Sequence, residues 1–249
     1  KMEDTKNNKR PRSSGDSGFD VSSTKASKLM RVQGPARDKG DKRKIIVILQ
    51  KAALETVKTK KGYELVSADS HKSILTKLKK DISEYRPDIV HQCLLTLLDS
   101  PLNKAGLLKI YIETRNNQII DVHPSLRIPR TYNRFAGLMV QLLHKMKIRA
   151  VGTSDVLMKM IKRPMTAHLP AGCIKIGTSN KGKLVDLDEY IPTISPDSRP
   201  IVFVVGAMAH GQATVDWEEE CIAVSQYALS GSVALGRMMN AFERYWGIL

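Results

Sequence analysis

The sequence predicts an α/β protein built on a largely parallel sheet. Two observations carry this. Short, continuous apolar runs rich in β-branched residues, of the kind buried on both faces of a sheet, occur at residues 45–49 (IIVIL) and 201–205 (IVFVV). Between them lie segments whose apolar residues recur on a helical period. In chain order, the first strand is 45–49 and the first long helix covers 89–98. Residues 108–122 form a hairpin: Leu108, Ile110 and Ile112 alternate, Arg115, Asn116 and Asn117 supply the turn, and 119–122 returns. A helix over 135–146 follows, with Leu138, Met139, Leu142 and Leu143 on one face, then a helix over 155–161. Strands at 173–176 and 201–205 and a helix over 232–245 complete the pattern. The hairpin needs antiparallel pairing, so it is expected as an extension beside the parallel sheet.

Several classes are excluded early. No apolar run approaches the ~18–20 residues of a membrane span, and residues 1–14 lack the apolar stretch of a secretory signal. Cys93, Cys173 and Cys221 are odd in number and far apart, which argues against a disulfide framework and against zinc; no metal is expected. There is no Gly-x-Gly-x-x-Gly and no Gly-Lys-Ser/Thr, so dinucleotide and P-loop chemistry have no motif.

Charge points to a polyanion. The 249 residues hold 40 Lys and Arg against 25 Asp and Glu, a formal +15. Residues 1–44 carry 13 basic and 6 acidic side chains, a net of +7, with few large apolar residues. Such a stretch buries too little surface to offset its ordering entropy, so 1–43 is expected to be a disordered basic tail and 44–249 the folded domain. Within the tail, Lys6 to Arg12 (KNNKRPR) has the composition of a nuclear-localisation patch or an RNA-binding arm. The remaining +8 belongs to the folded body.

Three constellations there could carry chemistry. In Arg86-Pro87-Asp88, the carboxylate two residues on can hold the guanidinium as a fixed fork, or simply cap a helix. In 127–134 (RIPRTYNR), Arg127 lies on a turn before Pro129, while Arg130 and Arg134 are spaced to share one face of the first helical turn. Cations at a helix N-terminus oppose its dipole and each other, penalties that a docked phosphate removes. The third comprises three small-residue loops after strands: 177–179, 205–211 and 224–230. In open α/β sheets, ligands sit beyond the carboxyl ends of strands, where small residues let the backbone approach.

The order of pieces resembles a known family. LETV at 54–57, RPDIVHQCLLTLLDSPLN at 86–103, RIPRT at 127–131, GLMVQLLHK at 137–145 and VVGAMA at 204–209 are similar to the Nep/Emg family of ribosome-biogenesis proteins, within the SPOUT superfamily. The resemblance covers residues 44–249. It implies an α/β knot: a mostly parallel sheet, a C-terminal trefoil knot and a hairpin-containing extension. It also implies a homodimer that binds S-adenosyl-methionine and methylates N1 of a pseudouridine in a small-subunit rRNA hairpin loop. A nuclear and nucleolar location alongside ribosome assembly factors follows from that role.

Carried over by motif, Arg86, Arg127, Arg130 and Arg134 become RNA-contacting residues. Asp88 becomes the residue that orients Arg86 or, as the weaker reading, a catalytic base, since a carboxylate paired to an arginine makes a poor base. Thr178, Val205, Gly206, Gly211, Val224, Ser225, Gln226, Tyr227, Ala228 and Leu229 become the cofactor pocket. The family's knot loop carries Pro where Ala228 stands, which frees φ there. A second reading follows from that difference: an RNA-binding assembly factor in which the knot is a scaffold and methylation is dispensable.

Overall fold

β1 (Ile45–Ala52) is buried along nearly its whole length, because it lies inside the sheet with a strand on each side. Successive side chains point to opposite faces, so Ile45, Val47 and Leu49 enter one core while Ile46 and Ile48 enter a smaller one behind it. This two-sided burial is why the run shows no polar alternation. The structure, a computed structural model, describes residues 43–152, 154–195, 199–211, 213 and 215–248. The tail expected over 1–43 therefore lies outside the described residues except for Arg43.

A separate two-stranded hairpin follows, β2 (Thr56–Thr59) with β3 (Gly62–Leu65). After the short α1 (Lys72–Lys77) comes α2 (Pro87–Asp99), which opens on Pro87, where a missing N–H costs nothing. Ser100 ends it and caps the single-turn α3 (Pro101–Lys104), accepting from Asn103 N at 3.1 Å. β4 (Leu108–Thr114) and β5 (Ile119–Val122) come next, then α4 (Tyr132–Lys145), β6 (Lys147–Arg149) and β7 (Val156–Ile161). The C-terminal part runs β8 (Ile174–Leu184), α5 (Leu187–Ile194), β9 (Ile201–Gly206), β10 (Glu220–Ala223) and α6 (Gly231–Trp246).

The main sheet has eight strands in the order β10-β8-β9-β1-β4-β5-β7-β6. The first five pair in parallel and the last three are added antiparallel. The hairpin 108–122 is thus not an appendage beside the sheet: β4 pairs along β1 from Ile45↔Leu108 to Leu49↔Ile112, and β5 turns the sheet from parallel to antiparallel. Residues 155–161, expected as a helix, instead form β7. A helix of seven residues gains little, whereas the strand covers the open edge of β5 (Ile120↔Met160, Val122↔Met158) and buries Met158 completely.

The larger core is closed by helices. Val90, Cys93, Leu94 and Leu97 of α2 and Leu235, Met238 and Phe242 of α6 pack with the sheet, and Phe203 meets Phe242 edge-on at 5.8 Å between centroids. The smaller core is roofed by Met165 and Leu169, at the two ends of a one-turn 3-10 helix (Met165–His168), with Val215 and Trp217.

Candidate functional site

β8 leaves its partner β10 at Gly177 and rejoins it at Lys183, so that Cys221 pairs with Gly177 while the next residue, Ile222, pairs with Lys183. Residues 178–182 loop out between these points. Residues 177–179, expected as a loop after a strand, therefore lie within β8, and Thr178 stands where the excursion starts. It still pairs with Val205 of β9, and its hydroxyl donates to the Val204 carbonyl at 2.9 Å. Gly182 closes the excursion: a Cβ there would stand 2.6 Å from the Ile222 carbonyl carbon, so only glycine lets the two backbones pass.

This excursion, residues 206–211 and Ala213 after β9 and the 224–230 loop after β10 surround a cavity of about 300 Å³, the lower end of the range for small-molecule sites. Of the residues expected to hold a cofactor, Thr178, Val205, Gly206, Gly211, Val224, Ser225, Tyr227, Ala228 and Leu229 line it; Gln226 does not. Ser179 and Met208, from the loops expected there, also line it; sequence reasoning missed Asn180, Ile222 and Gly231, which form part of its wall. Two glycines set its depth. A Cβ on Gly206 would meet Ala213 and Met208 at 3.3 Å, and one on Gly231 would meet the Gly206 carbonyl and Cys93 Sγ at 3.4 Å. The loop itself is tightened by Ser225, whose Oγ accepts from Tyr227 N at 3.0 Å. Ser230 then caps α6, accepting from Val233 N at 3.4 Å.

The arginines gather around α2 and the entry to α4. Arg86 reaches Asp88 by two parallel bonds, Nε to Oδ1 at 2.8 Å and Nη2 to Oδ2 at 2.6 Å, and these hold its guanidinium above the ordinary range, firmly charged. Arg127 is turned outward because Leu126 and Ile128 on either side are buried. Arg130 lies before the N-cap Thr131, outside the helix, so it does not share a helical face with Arg134; it pairs with Asp99 at the end of α2. Arg134 sits exposed in the first turn of α4.

What ties these segments together is a residue the sequence did not single out. His91 on α2 donates from Nε2 to the Pro129 carbonyl at 2.7 Å and stacks on Phe135 at 4.5 Å between ring centroids. A carbonyl only accepts, so Nε2 carries the proton. The bond clamps the Arg127–Arg134 segment to the helix that begins at Arg86. Tyr132 completes the cluster. Burial pushes its phenol above the ordinary range, with Asp88 and Asp69 adding to the shift. Ser67 lies near enough to oppose it, yet not in hydrogen-bond geometry, so among the described residues the hydroxyl has no hydrogen-bond partner. α2 also reaches the pocket: Cys93, five residues beyond Asp88 and about 7.5 Å along the axis, packs beneath Gly231.

Comparison with known proteins agrees with this arrangement. Residues 47–243 match the family described as EMG1/NEP1 methyltransferase. The human ribosomal RNA small subunit methyltransferase NEP1 is 51% identical over 208 residues, covering 83% of this chain and 84% of that protein. Its counterpart from Candida albicans is 45% identical, covering 91% and 88%. Among solved structures, Archaeoglobus fulgidus Nep1 bound to S-adenosylhomocysteine has the same fold, with a TM-score of 0.68 at 24% identity over 82% of this chain and 99% of that one. With the family profile spanning the sheet, the arginine cluster and the pocket, this chain belongs to the EMG1/NEP1 methyltransferase family.

Proposed function

We propose that the chain transfers a methyl group from S-adenosyl-methionine to N1 of a pseudouridine in a small-subunit rRNA hairpin loop. The pocket is the observation that carries this. Its residues fit the cofactor: Gly206 and Gly231 leave a cleft that a Cβ would fill, Val205, Ile222 and Leu229 offer apolar contact, and Thr178, Ser179 and Ser225 bring hydroxyls to the wall. The relatives are named as small-subunit rRNA methyltransferases, and the archaeal Nep1 holds the demethylated product of that cofactor.

When bound, S-adenosyl-methionine supplies a sulfonium methyl that is already electrophilic. The chain then has to bring the nucleophile to it and let its proton leave. In pseudouridine the ring is joined through carbon, so N1 bears a hydrogen and becomes a nucleophile once that proton is lost. Arg86, Arg127, Arg130 and Arg134 hold loop phosphates and fix the register, and the target base turns out of the loop toward the pocket. Asp88 directs both oxygens to Arg86, which suits a positioning residue and leaves proton removal to water. Tyr132 stays protonated at neutral pH and can donate but not accept the N1 proton.

The same reading includes a trefoil knot made by the pocket loops, a homodimer, and work in the nucleus and nucleolus beside ribosome assembly factors. Tyr227 and Val233, 70% and 52% exposed beside the pocket, support a second copy covering this face. The test is incubation with small-subunit rRNA and labelled S-adenosyl-methionine, followed by mass spectrometry. Label on N1-methylpseudouridine supports the proposal; unlabelled RNA contradicts it.

A further inference from the structure

The cationic surface does not end at the four arginines. α4 has no carboxylate anywhere along its length. Arg134 and Lys145 are eleven residues apart, which returns a helix to almost the same face about 16.5 Å further along its axis. Gln141 lies on the stripe between them, and Gly137 beside it opens onto free space. The stripe therefore runs unobstructed from the arginine cluster to the far end of the helix, and exposed Lys147 follows two residues later on β6.

At that end the β2–β3 hairpin docks. The Tyr63 ring meets His144 edge-on at 4.4 Å. Lys58 is paired directly across from Tyr63, so both side chains occupy the hairpin face that meets α4. Lys60 and Lys61 form the tip, and all three lysines are exposed. The nearby carboxylates make their hydrogen bonds and ion pairs elsewhere, although the charge of Lys61 also reaches Glu64. Glu64 faces the opposite side of the hairpin, where it accepts from the Thr59 hydroxyl at 2.8 Å and meets His71 at 3.2 Å, while Glu55 pairs with Lys80 at 3.2 Å. Among the described residues, none of Lys58, Lys60, Lys61, Lys145 and Lys147 closes an ion pair.

We infer that this lysine face, Lys58, Lys60 and Lys61 with Lys145, is a second RNA contact that holds the sugar-phosphate backbone of the stem closing the target loop. The inference rests on the proposed RNA substrate. Lysines are compact point charges suited to phosphates rather than to reading base edges, and the one exposed ring at the site, Tyr63, is already engaged by His144. A double-stranded A-form stem is recognised in just this way, through backbone and shape. The loop sits at the arginines and the stem runs along α4 toward the hairpin.

The experiment measures the salt dependence of binding to a stem–loop RNA and to the same loop without its stem. For the triple variant K58A/K60A/K61A, the slope of log K against log salt on the stem–loop should fall by about two to three. Binding of the isolated loop should be unaltered, which also reports an intact fold. Arg134→Ala should lower the slope on both RNAs. An unchanged stem–loop slope in the triple variant, with Arg134→Ala still lowering it, overturns the stem contact and leaves the substrate reading standing. Equal losses on both RNAs overturn the assignment to the stem. No RNA binding by the unaltered chain overturns the substrate reading and this contact with it.

Discussion

The side chains of Arg86 and Asp88 close into a two-bond fork at the first turn of α2, at 2.8 and 2.6 Å. Both groups remain partly exposed, 44% and 35%, so the pair contributes little to stability, on the order of 0–1 kcal/mol. Its consequence is geometric: one guanidinium edge is taken and the other is presented outward in a fixed orientation.

Asp88→Asn should therefore leave the melting temperature within a few degrees and weaken RNA binding by about tenfold, as expected when a charge-assisted pair is lost. Single-turnover methylation at saturating RNA should keep its rate. A rate loss of a hundredfold or more at saturation would instead make Asp88 a base.

Arg130→Ala removes a cation that is 72% exposed, outside the helix and paired with Asp99. The slope of log K against log salt for RNA binding should fall by about one, equally for all RNA sequences. An unchanged slope would mean that Arg130 serves only Asp99.

Gly182→Ala places a methyl 2.6 Å from the backbone of Ile222, which cannot yield as a flexible side chain would. A loss of roughly 1–3 kcal/mol in denaturant unfolding is expected, typical of overpacking. Weaker S-adenosylhomocysteine binding by calorimetry should accompany it, because the excursion that carries Thr178 and Ser179 must shift. Full affinity would show that the 178–182 segment is not part of the site.

Burial pushes the Cys93 thiol up to about 12, so at pH 8 it stays protonated and unreactive. Iodoacetamide should label Cys221, which is only partly buried, well before Cys93. Since Cys93 packs beneath Gly231 at the pocket, S-adenosylhomocysteine should slow its labelling further by stabilising the folded state. Rapid labelling of Cys93 in the folded chain would contradict the packing of α2 under the pocket.

Strands buried on both faces were legible because their runs have no alternative use: 45–49 and 201–205 are β1 and β9 with one or a few residues added. So were α2 and α6, whose periodicity is clear; α6 also carries the Ser230 cap, whereas α2 starts at Arg86 without a side-chain cap. β7 was not, because residues 155–161 satisfy a short helix as well as a strand, and only the open edge of β5 decides between them. The arginine motif was legible as a segment, but its geometry was not. Arg130 falls before the helix because α4 starts at Tyr132, and the clamp from His91 to Pro129 joins residues 38 apart in sequence. The excursion in β8 left only Gly182 as a trace, a glycine between two lysines whose need is visible once Ile222 is placed beside it.

The nucleophile of the proposed reaction is an N1 that bears a hydrogen, which pseudouridine has and uridine lacks. The measurement is single-turnover methyl transfer to two hairpin-loop RNAs that differ only in pseudouridine or uridine at the target position, with binding to each measured in parallel. Both RNAs should bind with similar affinity, and only the pseudouridine RNA should carry label. Equal labelling of the uridine RNA, or labelling of neither when both bind, would contradict the proposed reaction.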